Sequence, residues 1–228
     1  MSSAISELDA REVLGDLYDH LATPVAMADG TFDEIVEDVI DGHLMIDLPL
    51  EIEAGEFEEL EGVDESDLRA WLMELLRHEF AEHLAWQEGL GGRPADGDRL
   101  SAAFDDLNAR AIVARENFAC CQRCGMGEIR DEDHDAEDEE ARGYVFYHEQ
   151  DTGRRPLYLA FDTPDGSEES RVALGGEVVG VLRDHGLVPE WNRDAGRRIA
   201  VDADVRRVRR GGLADYPEDD GDARSVEV

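Results

Sequence analysis

The sequence predicts an α+β protein in which a helical N-terminal part is followed by a small antiparallel sheet with one packed helix. Up to about Phe118 the apolar residues recur at the helical period of about 3.6 residues. Beyond Phe118 they alternate with a period of two, which is typical of strands. The second part reads as two strands, a helix and a hairpin, and this order favours an antiparallel sheet with a helix on one face.

Two helices are predicted at the start of the chain. Leu8–Leu21 has apolar residues at helical spacing, and Thr23-Pro24 should stop this helix, because the residue before a proline is biased away from helical geometry. Thr31 is placed to cap a second helix, and Glu34 is placed to complete a capping box. The pair Asp41-Gly42 should end that helix.

Two further helices are predicted before the sheet begins. The acidic stretch Asp47–Gly62 is ambiguous. Ser66–Trp86 has the clearest helical pattern of the chain, and Gly89 opens the glycine-rich run that should end it. Asp98–Val113 predicts another helix.

The sheet is predicted from four alternating segments. Tyr144–His148 and Leu157–Phe161 are the first two strands, and Val188–Trp191 forms a closing hairpin with Arg198–Val201. A short helix at Gly175–His185 lies between them in the chain and should pack on the sheet.

The change of period divides the chain into a helical region at residues 1–95 and an α+β domain at residues 96–212. Residues 213–228 are expected to form an acidic flexible tail. The run 131–140 is also expected to be frayed, because it is almost wholly acidic and carries no hydrophobic residue that anchors its backbone.

Charge is the strongest compositional signal. The 57 acidic residues outnumber 22 basic ones, which gives a formal net charge of −35, and every basic residue is an arginine. Such an excess repels itself in dilute buffer, whereas the Debye length falls to about 3 Å in 1 M salt and only adjacent charges still interact. This composition resembles that of proteins from salt-accumulating halophilic microorganisms. We therefore interpret the acidity as an adaptation to concentrated salt and not as evidence for a basic partner or a calcium site.

The sequence also bears on where the protein is found. It has no apolar run long enough to span a bilayer and no basic-then-apolar leader at Met1. We therefore expect a cytoplasmic protein without a membrane partner.

All cysteines of the chain lie together in Cys120-Cys121-Gln122-Arg123-Cys124-Gly125. In a reducing cytoplasm such clustering indicates metal binding or redox chemistry rather than structural disulfides. A C-x-x-C-G turn can bring two thiolates to one tetrahedral zinc ion, and Cys121 with Cys124 is the firmer pair, since Cys120 and Cys121 are neighbours. The sequence is compatible with three interpretations: a zinc site, a thiol or disulfide switch, and simple buried cysteines.

A second polar group follows the predicted strand Tyr144–His148. Alternation places His148 on the same face as Tyr144 and Phe146. The remaining metal ligands would have to be Cys120, His134 or His148. His148 and Asp151 could instead serve as a general acid–base pair, although strand ends commonly gather polar residues.

We interpret two other motifs as structural features and not as functional sites. His78 and His83 are five residues apart, which leaves them about 140° apart on a helix, so they do not match the zinc-protease signature. The segment 191–212 is rich in arginine, but the surrounding negative field would repel a polyanion. We therefore expect an ion-pair strip there rather than a nucleic-acid partner.

The cysteine motif also carries a resemblance. The segments that carry it are Asn117–Gly125, Leu100–Leu107, Ala111–Arg115 and Gly143–Thr152. Together they resemble an uncharacterised domain-of-unknown-function family found chiefly in actinobacteria and other prokaryotes. The resemblance covers about Asp98 to Arg207, and it implies that the cysteine turn and the His148 strand belong to one domain unit. It implies no activity.

These features support two classes of function. The first is a non-enzymatic binding or regulatory protein of a halophilic cytoplasm, with a small Cys/His site for zinc at Cys120, Cys121, Cys124 and His148; its protein or small-molecule partner is unknown. The alternative is a thiol-redox or metal-dependent enzyme that uses the C-x-x-C turn and His148. No nucleophile or phosphate loop indicates a reaction class.

Overall fold

The computed structural model describes residues 9–132 and 141–217. The chain forms two compact units, one of residues 1–91 with 209–228 and the other of residues 92–208. Helices make up the first unit and a five-stranded mixed sheet lies in the second, so the predicted α+β class is confirmed. Of the acidic run predicted at 131–140, residues 133–140, which include His134, lie outside the described residues, and residues 131 and 132 end a helix. Residues 218–228 of the predicted tail 213–228 also lie outside them.

The first unit is built from helices around one apolar core. Its helices are α1 (Ala10–Leu14), α2 (Asp16–Ala26), α3 (Phe32–Ile35), a π-helical segment (Val36–Leu44), α4 (Met45–Ala54) and α5 (Glu65–Gly89), with 3₁₀ turns at Glu58–Leu60 and Gly211–Ala214. The long helix α5 supplies Trp71, Leu72, Leu76 and Phe80 to the core. None of the helices in the described part of the chain is both long enough and apolar enough to cross a membrane.

The first predicted helix differs from the structure in its middle and at its C-terminal end. Gly15, with φ of 54°, separates α1 from α2, which the apolar spacing had joined. Pro24 lies inside α2 instead of ending it. Pro24 removes only the hydrogen bond of its own missing N–H, and Met27 N donates to Thr23 O at 2.9 Å, so the last turn still closes.

The second helix starts as predicted but continues further. The Thr31 and Glu34 capping box is present, with Thr31 N donating to Glu34 Oε2 at 2.8 Å. Gly42 does not end the helix, because it falls within the π-helical segment and the chain continues into α4. Gly55, with φ of 85°, ends α4 in the left-handed conformation that glycine adopts readily.

The second unit contains the sheet. Its elements are α6 (Asp96–Asn108), β1 (Ile112–Arg115), α7 (Gln122–Glu132), β2 (Gly143–Phe146), β3 (Leu157–Asp162), α8 (Glu168–Asp184), β4 (Pro189–Glu190) and β5 (Ile199–Val201), with a 3₁₀ turn at Glu149–Asp151. The strand order is β1-β2-β3-β5-β4. The predicted strands and the closing hairpin are confirmed, and the β2–β3, β3–β5 and β5–β4 pairs are antiparallel.

The sheet is mixed because it has a strand that the helical pattern concealed. Ile112–Arg115, whose first half was assigned to the helix after Asp98, is β1 and pairs parallel with β2. Ala111 has φ of 58°, which breaks the helix before the strand. Asn108 Oδ1 accepts a hydrogen bond from Ala114 N at 2.9 Å, and Asn108 Nδ2 donates to Ala114 O at 3.1 Å. The side chain of Asn108 thus satisfies the backbone of Ala114 in this edge strand.

Helices cover both faces of the sheet. A Cβ on Gly125 of α7 would lie 2.4 Å from the ring of Phe146, so α7 packs on the Tyr144 and Phe146 face. A Cβ on Gly143 would lie 2.5 Å from Leu174 of α8, so α8 covers the opposite face. The first turn of α7 therefore lies over the face from which His148 also projects.

Replacing Gly125 with alanine should destabilise the second unit by about 1–3 kcal/mol, because the new methyl group would overlap the buried Phe146 ring. Gly127, on the same helix, has no described atom within 4 Å of such a methyl group. Gly127→Ala should therefore be neutral or stabilising by up to about 1 kcal/mol. Urea unfolding of both variants at constant salt measures the difference. Equal midpoints would show that α7 does not pack on Phe146.

Candidate metal centre

The cysteines lie at the start of α7, which the motif alone did not reveal as a helix. Gly125 N donates to Cys121 O at 3.0 Å, so Cys121 begins the first turn. Close contact with Phe146 requires a residue without a side chain at position 125. The glycine of the C-x-x-C-G motif thus allows α7 to pack closely on the sheet. This packing determines the position of the first helical turn and therefore of the cysteines.

The loop before α7 is tied to the chain that follows β2. Phe118 N donates to Tyr147 O at 2.8 Å, and Glu149 N donates to Ala119 O at 3.1 Å. Ala119 has φ of 60°, which is uncommon for a residue other than glycine. These hydrogen bonds hold the cysteine loop beside His148 in the backbone.

The three thiols converge. The sulfur atoms of Cys120, Cys121 and Cys124 all lie within 4.8 Å of one another, and this group could hold a metal ion. Cys120 and Cys124 are exposed and Cys121 is partly buried, so the reading as simple buried cysteines is wrong. Although Cys120 and Cys121 are adjacent, their sulfurs do not diverge.

The thiols differ in acidity because of where they lie on the helix. The backbone N–H of Cys124 lowers the pKa of the Cys121 thiol, and the Cys124 thiol and the N–H of Arg123 act in the same direction. Hydrogen bonds with Cys120 and Cys121 raise the pKa of Cys124 to about 11. Cys121 is therefore the first of these two to become a thiolate, which is the form that binds metals.

His148 lies in a buried polar group of its own. Its Nε2 lies 2.9 Å from Asp151 Oδ2 and 3.2 Å from Arg198 Nη1, and its side chain is 7% exposed. The convergent group of ligand atoms consists of the three sulfurs and does not include the His148 imidazole. Its second ring nitrogen, Nδ1, is buried and has no hydrogen-bond partner among the described residues.

The protonation of His148 follows from these contacts. Burial lowers the pKa of His148, and the positive charge of Arg198 acts in the same direction, while Asp151 opposes both. The neutral ring is thus favoured. With the Nε2 proton donated to Asp151, a carboxylate that can only accept, Nδ1 presents a lone pair.

Arg198 is the residue of this region that sequence reasoning missed. In the sequence, Arg198 is one of several arginines of the segment 191–212. In the structure, its Nη1 donates to Asp151 Oδ2 at 2.5 Å, which connects the start of β5 to the His148 loop. In the same segment Arg206 pairs with Asp204, and Arg207 Nη2 lies 2.8 Å from Glu116 Oε1. These are intramolecular ion pairs, of the kind expected for this segment.

Comparison with known proteins places the chain in a family. No curated protein and no solved structure matches it. A family model described as a domain of unknown function, DUF6891, matches residues 10–209. The match includes the N-terminal helices as well as the cysteine turn and the His148 strand. Because it spans most of the sequence, the chain belongs to the DUF6891 family of domains of unknown function.

Proposed function

We propose that this protein is a non-enzymatic binding or regulatory protein of a halophilic cytoplasm, in which Cys120, Cys121 and Cys124 hold one zinc ion together with His148. The observation that supports the proposal best is the convergence of the three sulfurs within 4.8 Å. Cysteine thiolates and a neutral imidazole are the ligand types that four-coordinate structural zinc prefers.

The spacing of the sulfurs is compatible with zinc, because all three lie within 4.8 Å of one another. Zinc–sulfur bonds of about 2.3 Å in a tetrahedron place the sulfurs about 3.8 Å apart. The cysteines lie at the surface, in a loop and in the first turn of α7. The negative charge of three thiolates would otherwise make such closeness unfavourable, and a bound cation offsets it.

His148 is the proposed fourth ligand through Nδ1. A buried polar atom without a hydrogen-bond partner is unfavourable, and a metal bond would satisfy it. Asp151 on Nε2 supplies the outer carboxylate that commonly orients a metal-bound histidine. The hydrogen bond of Glu149 N to Ala119 O already holds the two backbone segments together.

Zinc titration of the reduced protein in high salt, in competition with a chromogenic chelator, tests the proposal. We expect one ion per chain, with an apparent binding free energy in the range of about 10–16 kcal/mol found for structural zinc sites. Cys121→Ser should weaken binding by more than about 100-fold, beyond the usual effect of losing an outer partner.

The matched control is Glu128→Gln, which removes an exposed carboxylate from the same helix and should leave the affinity unchanged. This control separates a thiolate site from unspecific binding to an acidic surface. A zinc content near zero per chain, or equal affinities for wild type and Cys121→Ser, would remove the metal site.

A dithiol–disulfide function is the second candidate, and the N–H groups directed at Cys121 favour it. A low-pKa thiol at a helix N-terminus with a second thiol nearby is the arrangement used by disulfide oxidoreductases. Alkylation distinguishes the two functions. A working redox thiol reacts rapidly in the native protein, whereas a zinc-held thiol reacts slowly until a chelator is added.

A further inference from the structure

An open depression lies between the first turn of α7 and the β4–β5 hairpin, entirely within the second unit. Its volume is about 680 Å³. The depression is lined by the polar residues Gln122, Glu190, Asn192, Arg197 and Arg198 and by the rings of Tyr158 and Trp191. The lining residues thus include two arginines and one carboxylate.

Arg198 is held firmly on one side. Its Nη1 donates to the buried carboxylate of Asp151 at 2.5 Å, and the same nitrogen lies 3.2 Å from His148. Its guanidinium carbon lies 4.9 Å from the centre of the Tyr158 ring. With 30% of the side chain exposed, the guanidinium is fixed in orientation and still reaches the depression.

The other edge of this guanidinium is available for a ligand. Among the described residues, Nε and Nη2 of Arg198 have no hydrogen-bond partner. Elsewhere in the chain this edge binds carboxylates with two parallel hydrogen bonds. Arg69 Nε and Nη2 donate to Asp41 at 2.7 and 2.8 Å, and Arg110 donates to Asp106 in the same way at 3.1 and 2.9 Å.

We propose that the depression binds a small molecule through its carboxylate, which the Nε–Nη2 edge of Arg198 receives. Planar carboxylates match the two parallel donors of this edge. Arg197 also lines the depression, with its Nε 3.9 Å from Asp194 Oδ2, and the amides of Gln122 and Asn192 supply polar groups for the rest of the ligand. Glu190 also lines the depression, so a single carboxylate is preferred over a phosphate dianion or a dicarboxylate.

This proposal does not rest on the metal site. Gln122 follows Cys121 in the chain, so the ligand would lie beside the cysteine turn. Arg198 is held by Asp151 and by the Tyr158 ring, neither of which is a proposed metal ligand. Its contact with His148 is to Nε2 and not to the proposed ligand atom Nδ1. Binding of a carboxylate can therefore be measured in protein treated with a chelator.

Titration of the chelator-treated full-length protein with sodium acetate, followed by amide and arginine Nε–H resonances at constant ionic strength, tests the proposal. Saturable shifts are expected at residues 190–198, at Gln122 and at the Nε–H of Arg198. Arg198→Lys keeps the charge but loses the paired donors, and should weaken binding by about tenfold or more. Arg183→Lys, on the exposed side of α8, is the matched control and should bind as wild type does.

Several outcomes would overturn the assignment. These are shifts that grow without saturation, shifts centred outside residues 190–198, an unchanged affinity in Arg198→Lys, or inorganic phosphate binding as tightly as acetate. If Arg198→Lys does not fold, the location of the wild-type shifts and the comparison with phosphate still decide the matter.

Discussion

The fold is expected to loosen when salt is diluted below about 0.5 M, because screening of like charges then weakens. The chain carries 57 acidic and 22 basic residues. Even if every arginine pairs with one carboxylate, 35 negative charges stay uncompensated. Pairs such as Arg69–Asp41, with a shortest distance of 2.7 Å, become more favourable as salt is removed, but exposed pairs contribute at most about 1 kcal/mol each.

Circular dichroism and amide exchange at decreasing potassium chloride concentration measure this effect. Sodium chloride at the same ionic strength should give the same curve, whereas sucrose should not replace salt, because screening requires ions. A fold that stays intact in dilute buffer would contradict the proposal of a halophilic cytoplasm. Protection by sucrose alone would show that solvent exclusion rather than screening is responsible.

Replacing Arg209 with methionine should lower the free energy of unfolding of the first unit by about 3–5 kcal/mol. The side chain of Arg209 is 1% exposed, and its guanidinium carbon lies 4.4 Å from the centre of the Phe80 ring. It donates to backbone carbonyls, with Nη1 2.9 Å from Val25 O and further bonds to Gly30 and Leu213. Methionine fills similar space but leaves these buried acceptors without donors.

The charge state of Arg209 does not alter this expectation. Burial lowers the pKa of Arg209 to about 10, so the side chain is still a cation at neutral pH. Two hydrogen bonds with the Gln87 amide also fix its backbone, at 2.7 and 3.1 Å. These contacts anchor Arg209 within the first unit.

Arg210→Met is the matched control, because it changes the net charge equally at a neighbouring exposed position. Its unfolding free energy should stay within about 0.5 kcal/mol of wild type. Urea unfolding at constant high salt compares the two variants. A similar small change in both would show that Arg209 does not hold the turn after α2.

Elements with clear local patterns were predicted from the sequence, and the missed elements, β1 and α7, have local patterns that are misleading. Thr31 with Glu34 and the alternation through β2 predicted a cap and a strand that the structure contains. In β1, Ile112 and Val113 continue the helical spacing of α6, and only the backbone turn at Ala111 separates the two elements. Helix α7 was missed because Gly125 and Gly127 weaken its pattern.

The candidate site also has parts that the sequence predicts and parts that it does not. That Cys120, Cys121 and Cys124 act as a group follows from their position in the sequence, and their sulfurs do converge. The partners of His148 could not be predicted in full. Asp151 is nearby in the chain, but Arg198 lies 50 residues away, and only the pairing of β3 with β5 brings it there.

The central claim is that three sulfurs and one imidazole nitrogen hold a single zinc ion. X-ray absorption at the zinc edge, on protein loaded with one equivalent in high salt, tests it most directly. We predict three sulfur atoms at about 2.3 Å and one nitrogen at about 2.0–2.1 Å. The nitrogen should be lost in His148→Ala but kept in the exposed control His78→Ala. A shell of oxygen atoms alone, or a spectrum that His148→Ala leaves unchanged, would contradict the account.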